Sequence, residues 1–357
     1  MATLATSALD SFDEGKNATD VTQRGIAFLG CTLLGFFGLI IVIADAAKVQ
    51  FGPVVASFAM VALWLGIGIA VLAQCIAVFT PGRWKPELRA LWIILAILIA
   101  SITLPLFELF KQHILPARGF PFDPYLAALD RILFLGNDPW RITHALFGNL
   151  APTMLIDTAY ALWMPMMFAY PMVAVMATRD EVLRIRLLGT WLWSWVLIAG
   201  LGAWLFASAG PCYYNALVGP DAGFMALNDR LNALSVDAHV HGKSIAALDF
   251  QALLLSGQHS QGLLPAGGIS AMPSMHVAMA VLFAISGFRI ARALGWIMSG
   301  YALLIWIGSI HLGWHYASDG IAGAAMMIAL WKAVGWLLTS SQNMPSQFAL
   351  PPLPDSR

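Results

Sequence analysis

The sequence predicts an all-α fold: a polytopic membrane bundle of about eight spans, with interfacial helices in its outer loops. Three observations predict it. The 357-residue chain is 59% hydrophobic and only 11% charged, where a soluble domain carries about a quarter charged residues. Its apolar residues fall into runs near the roughly 20 that a helix needs to cross a hydrocarbon core. Basic residues gather in alternate, short connections between those runs.

The runs lie at 25–45, 54–79, 89–109, 153–177, 187–208, 274–289, 293–311 and 318–339. The sixth is short, so its start is expected below the membrane surface. An even number of spans puts both ends of the chain on one side. Arg83, Lys85 and Arg89 lie between the second and third runs, and Arg179, Arg184 and Arg186 between the fourth and fifth. Arg289 and Arg292 lie between the sixth and seventh. The positive-inside rule makes that side the cytoplasm, and a bacterial inner membrane is the expected location.

The first residues are polar and acidic, with no basic stretch before a short apolar one, so no cleaved signal peptide is expected. Segments 1–24 and 340–357 read as flexible cytoplasmic tails, and 25–109 as the N-terminal spans. An outer interfacial segment follows at 110–152, then a core at 153–339 that includes a long outer loop at 209–273. In the interfacial segment, Leu126, Leu129, Ile132 and Leu133 recur at helical spacing. Asp138 and Pro139 then restart a second helix. Both helices are expected to lie on the membrane or over the bundle. Cys31, Cys75 and Cys212 form neither a disulfide framework nor a metal-binding spacing. A net charge of zero gives no reason to expect a nucleic-acid partner, and nothing in the sequence bears on oligomeric state.

Two stretches carry chemistry. In "GGISAMPSMHVAMA", residues 267–280, Ser274 is a good N-cap for the sixth run. The first-turn amides of Met275 and His276 are then free to meet an anion, most naturally phosphate. In "GSIHLGWHYASDGIAG", residues 308–323, His311, His315 and Asp319 recur every four residues. If helical, they share one face. The sixth and seventh runs make one hairpin, which returns His315 to the membrane face that holds His276. Ionisable groups at membrane depth are costly and mark function. The spacing lets Asp319 accept from one ring nitrogen of His315, leaving the other as a nucleophile, with His276 as proton donor.

"PSMH" resembles the second signature of the type 2 phosphatidic acid phosphatase superfamily, and "HLGWHYASDGIAG" resembles its third. "ASAGPCYYN" (207–215) and "LDRILFLGNDPW" resemble its inositol phosphorylceramide synthase-like branch. The resemblance implies a six-helix phosphatase-type core and a metal-independent lipid phosphatase or phosphotransferase without a cofactor. Its substrate would be a membrane phospholipid or sphingolipid, with an alcohol as a further acceptor. It implies a phosphohistidine on His315, oriented by Asp319, with His276 protonating the leaving group.

The chain departs from the pattern in two places. The first signature, a lysine followed later by arginine-proline, is absent, and Ser309 stands where an arginine usually precedes the nucleophile by six residues. Phosphate and substrate contacts are therefore expected from Ser274, Met275, Ser309, His311 and Tyr214. The outer-loop cations Arg230 and Lys243 are the nearest substitutes in sequence, with Arg131 and Arg141 behind them. His311 is otherwise a packing residue, His239 and His241 face solvent, and Asp157 complements a helix N-terminus. Tyr213 and Tyr214 are expected as interface anchors. In an alternative reading, His276, His311, His315 and Asp319 ligate zinc in a hydrolase. A transporter with a proton relay ranks last, because it needs charges buried mid-span.

Overall fold

The computed structural model describes residues 2–48, 50, 52–79, 86–257 and 267–340, and in them the fold is helical without strands. Arg83, Lys85 and most of the expected C-terminal tail lie outside the described residues. Helices α1 (Ala2–Ala47), α2 (Gly52–Phe79) and α3 (Pro86–Leu109) open the chain. The backbone of α1 is helical through residues 2–24, where the sequence suggests a flexible tail. α3 runs on into a π-helical turn, Phe110–Ile114, and a 3-10 turn, Leu115–Arg118.

Two short helices follow, α4 (Asp123–Leu133) and α5 (Pro139–Phe147). After α6 (Leu150–Ala161) and α7 (Trp163–Ala177), α8 (Glu181–Ser194) continues through a π-helical stretch, Trp195–Gly202, to α9 (Ala203–Leu205). The loop beyond carries α10 (Tyr214–Leu217), α11 (Ala222–Val240) and α12 (Ala246–Gly257). Helices α13 (Met275–Ile290), α14 (Arg292–His311) and α15 (Ala317–Ser340) close the fold.

Among the described residues, six helical stretches are long and apolar enough to cross a membrane: Thr22–Ala46, Val55–Leu72, Ala90–Arg118, Glu181–Leu205, Arg292–His311 and Ala317–Leu338. The chain is an integral membrane protein. Three of the eight expected spans depart from a plain helix, the fifth through its π-helical stretch Trp195–Gly202. The fourth is broken, with α6 and α7 meeting at 44°. Pro165 supplies the reason: it has no N–H to give, and its ring crowds the carbonyl of Ala161 four residues back. The sixth, α13, has 16 residues, about 24 Å of helix against a hydrocarbon core of about 30 Å. It can be short because protein surrounds it. Helices α7, α8, α14 and α15 pack around it, and Ala278, Met279, Leu282 and Phe283 are completely buried.

The interfacial helix α4 turns the expected stripe around. Leu126 and Ala127 face the bundle, but so do Asp123 and Asp130, while Leu129, Ile132 and Leu133 are exposed. Two carboxylates point inward because they have backbone amides to hold, as the site shows. The outward apolar side suits a helix lying in the membrane interface.

Candidate active site

The chain reverses at one end of the bundle between α14 and α15, and this turn carries His315. Its backbone N–H donates to the carbonyl of Ser309 at 3.1 Å. The ring Nδ1–H donates to the carbonyl of Ala271 at 2.9 Å. A carbonyl only accepts, so the proton sits on Nδ1 and the lone pair is left on Nε2. That Nε2 faces Nδ1 of His276 at 3.4 Å.

His276 stands in the first turn of α13. Ser274 caps the helix by accepting from the amide of Val277, and its own amide donates to the carbonyl of Asp319. The His276 ring lies against two aromatic rings, Trp163 at 4.1 Å and Tyr160 at 4.7 Å between centroids. Trp163 also donates its indole N–H to the His276 carbonyl. Both rings restrict how the imidazole can turn.

Asp319 is fully buried, with Oδ2 at 3.5 Å from Nδ1 of His315 and 2.9 Å from the amide of Tyr316. The carboxylate is therefore the more distant neighbour of Nδ1, and the Ala271 carbonyl is the closer one. The sequence alone assigns that orienting bond to Asp319. A backbone acceptor leaves no mark in sequence.

Helix α4 holds the reversal in place. Asp130 accepts from the amides of Ala317 and Ser318 at 2.6 and 2.9 Å, at the N-terminus of α15. Asp123 accepts from the amides of Ala209 and Gly210 and from the hydroxyl of Tyr316. Burial pushes both carboxyls above the ordinary carboxylate range, and the amides that they hold pull the other way. Gly210 has φ +97°, and a side chain there would strike the carbonyl of Trp314. On the far side, Gln251 of α12 donates to the carbonyl of Leu312. Neither aspartate is among the site residues that the sequence suggests; the two-turn spacing of acids within an amphipathic helix is the signal that was available.

His276 and His315 line a cavity of about 430 Å³. Among the described residues of its wall, the one lysine or arginine is Lys111, in the π-helical turn after α3, with Glu108 one turn before it. Gln112 donates to Glu108 at 2.8 Å. The segment 267–268 packs on this turn: Gly268 has φ +78°, and a Cβ there would meet the Lys111 side chain. The sequence signal for Lys111 is a lysine at the end of an apolar run, one turn after an acid.

Met275 lines the cavity, and the other expected contacts lie elsewhere. Ser274 is spent on its cap, and Ser309 donates to the carbonyl of Trp306. His311 meets Thr153 at 3.0 Å and stacks on His144, so it does not join His276, His315 and Asp319. Arg230 donates to the carbonyl of Gly148, and Lys243 is exposed. Arg131 pairs with Asp138 and Asp221, and Arg141 with Asp138. Tyr214 packs on Phe224, whereas Tyr213 reaches the cavity wall. Asp157 accepts from the amides of Ala246 and Ala247, capping α12 rather than its own helix. Among the described residues, no three His, Cys, Asp or Glu groups converge as a metal site.

A family model described as the PAP2 superfamily matches residues 124–333, more than half of the chain. The chain belongs to this superfamily. No curated protein and no solved structure matches it. Family membership and the apolar helices together make it a membrane protein of the phosphatase kind, in which α4 through most of α15 form the family unit.

Proposed function

We propose that this PAP2-superfamily protein cleaves a lipid phosphate ester through a phosphohistidine on His315. The observation that carries the reading is the lone pair on His315 Nε2, held toward His276 by the Ala271 carbonyl at the wall of a cavity. In the first step Nε2 attacks phosphorus and the ester P–O bond breaks. His276 gives its proton to the departing oxygen. In the second step an acceptor oxygen attacks the phosphohistidine, yields its proton to His276 and breaks the P–N bond. Asp319, 3.5 Å from Nδ1, offsets the positive charge that His315 gains. Lys111 meets the charge on the phosphoryl oxygens, the task that the sequence alone suggests for Arg230 and Lys243.

The acceptor is water or an alcohol. Two segments favour an alcohol by their likeness to the inositol phosphorylceramide synthase-like branch, and both are structural supports of the His315 turn. Residues 207–215 contribute the amides that Asp123 holds, and the α4 segment contributes Asp130. A donor lipid labelled in its phosphate, supplied with and without an alcohol acceptor, tests the scheme. The expected result is an acid-labile, base-stable adduct on the wild type that is absent from His315→Ala, together with label in the alcohol product. Turnover that leaves no adduct, stops on chelation and returns with zinc would sink the scheme in favour of metal-assisted hydrolysis.

A further inference from the structure

The cavity is larger than a phosphate needs, and its wall is of two kinds. Beside His276, His315 and Lys111 it presents the apolar side chains Phe58, Leu104, Met164 and Met167. The carboxylates of the wall already have partners, Gln112 for Glu108 and the Ala246 and Ala247 amides for Asp157. A polyol packed on the apolar side chains would give up hydrogen bonds to water without replacing them. Two ring pairs stiffen this wall, Phe58 with Phe168 behind it and Phe107 with Trp195.

The position along the helices fits an apolar chain. Phe58 is six residues into α2, about 9 Å along it from the helix start, and within the stretch Val55–Leu72 that is apolar enough to cross a membrane. The outward side of α2 is apolar and exposed at Met60, Val61 and Trp64, which is where bilayer lipid would cover it. Phe58, Leu104 and Lys111 all precede residue 124, where the family match begins.

We propose that α2 and α3, which lie outside the family unit, complete a chamber for an apolar chain of the substrate. Phe58, Leu104 and Met167 set how long a chain it accepts. This rests on the phosphoryl-transfer reading, since the chain must hang from the ester that His315 attacks. For a monomeric substrate drawn from water, each methylene that enters the chamber leaves water and adds about fourfold to the specificity constant, the equivalent of about 0.8 kcal/mol. Beyond the end of the chamber, added methylenes contribute nothing more.

Two measurements on the full-length protein test this. The first is kcat/KM for monoacyl glycerol phosphates of increasing chain length, with the wild type, Met167→Trp and Phe58→Trp. The expected result is a rise with a break, and a break at shorter chains in both filled variants. The second is binding of the same series to His315→Ala protein, followed by displacement of a fluorescent lipid phosphate. A break in binding that shifts with Met167→Trp or Phe58→Trp, in a protein that turns over no lipid phosphate, would uphold the chamber while sinking the reaction. Turnover with the same chain-length profile in all three proteins would overturn the chamber and leave the reaction standing. If Met167→Trp fails to fold, Phe58→Trp, at a half-buried position, carries the test alone.

Discussion

Two pairs of histidines sit at one end of this bundle, and their surroundings give them opposite characters. His276 and His315 meet edge to face at the wall of a cavity, with one ring nitrogen of each turned to the other. His144 and His311 lie 4.0 Å apart in a flat stack, sealed between α5, α6 and α14. His144 Nε2 donates to the carbonyl of His311, and His311 Nε2 is taken by Thr153. Nothing in that second pair can reach a substrate. Residue type and helical spacing do not separate the pairs, since His311 and His315 are four residues apart. The turn between α14 and α15 does: it breaks the helix after His311 and swings His315 around to Ala271.

The sharpest way to test this contrast is to damage each pair in the same assay. His276→Ala is expected to lower kcat by about 10²- to 10⁴-fold, the usual worth of a positioned acid or base. His311→Phe keeps the stack and loses only the bond to Thr153. Turnover should stay within a few-fold, and stability should fall by roughly 1–3 kcal/mol. Equal losses of kcat in the two variants would erase the distinction.

A smaller effect is expected one step back from the reacting groups. Asp130→Asn cannot accept from both the Ala317 and the Ser318 amide, so the His315 turn should shift slightly. We expect kcat to drop about ten- to a hundredfold with KM little changed. A change confined to KM, or one seen only as lost protein, would make Asp130 a general stabiliser rather than a positioning residue.

The smallest effect concerns pH and the sealed pair alone. Burial, with Arg230 nearby, holds His144 below its ordinary value of 6.5, and the bond to the His311 carbonyl pulls the other way. The unfolded chain therefore binds this proton more readily than the folded one. Stability is full above about pH 6.5 and is lost as the pH falls from there toward the lower folded value. The thermal midpoint should drop between pH 7 and 5 in the wild type and drop less in His144→Gln. Parallel curves for the two proteins would remove His144 from the account.

Much of the fold is legible in the sequence because lipid imposes a simple demand, long apolar runs with satisfied backbones. The central position of α13 is harder to read, since it depends on which helices become neighbours. The site divides in the same way. His276, His315 and Asp319 carry local spacing that marks them, and the hairpin of α13 and α14 brings the two rings together. Lys111, Asp123, Asp130 and the Ala271 carbonyl act from more than forty residues away in sequence from the groups that they serve. Nothing near them in the chain announces those partners. Arg230 and Lys243 are nearer in sequence, and they lie on α11 and the loop after it, with other contacts.

The chamber wall is drawn from two blocks of the chain, and this points to a way of altering such a protein. The block from residue 124 onward carries both imidazoles, while Phe58, Leu104 and Lys111 arrive on the block before it. Grafting a foreign pair of leading helices onto an unchanged remainder would therefore re-task the molecule toward another guest, leaving its bond-breaking apparatus as it was.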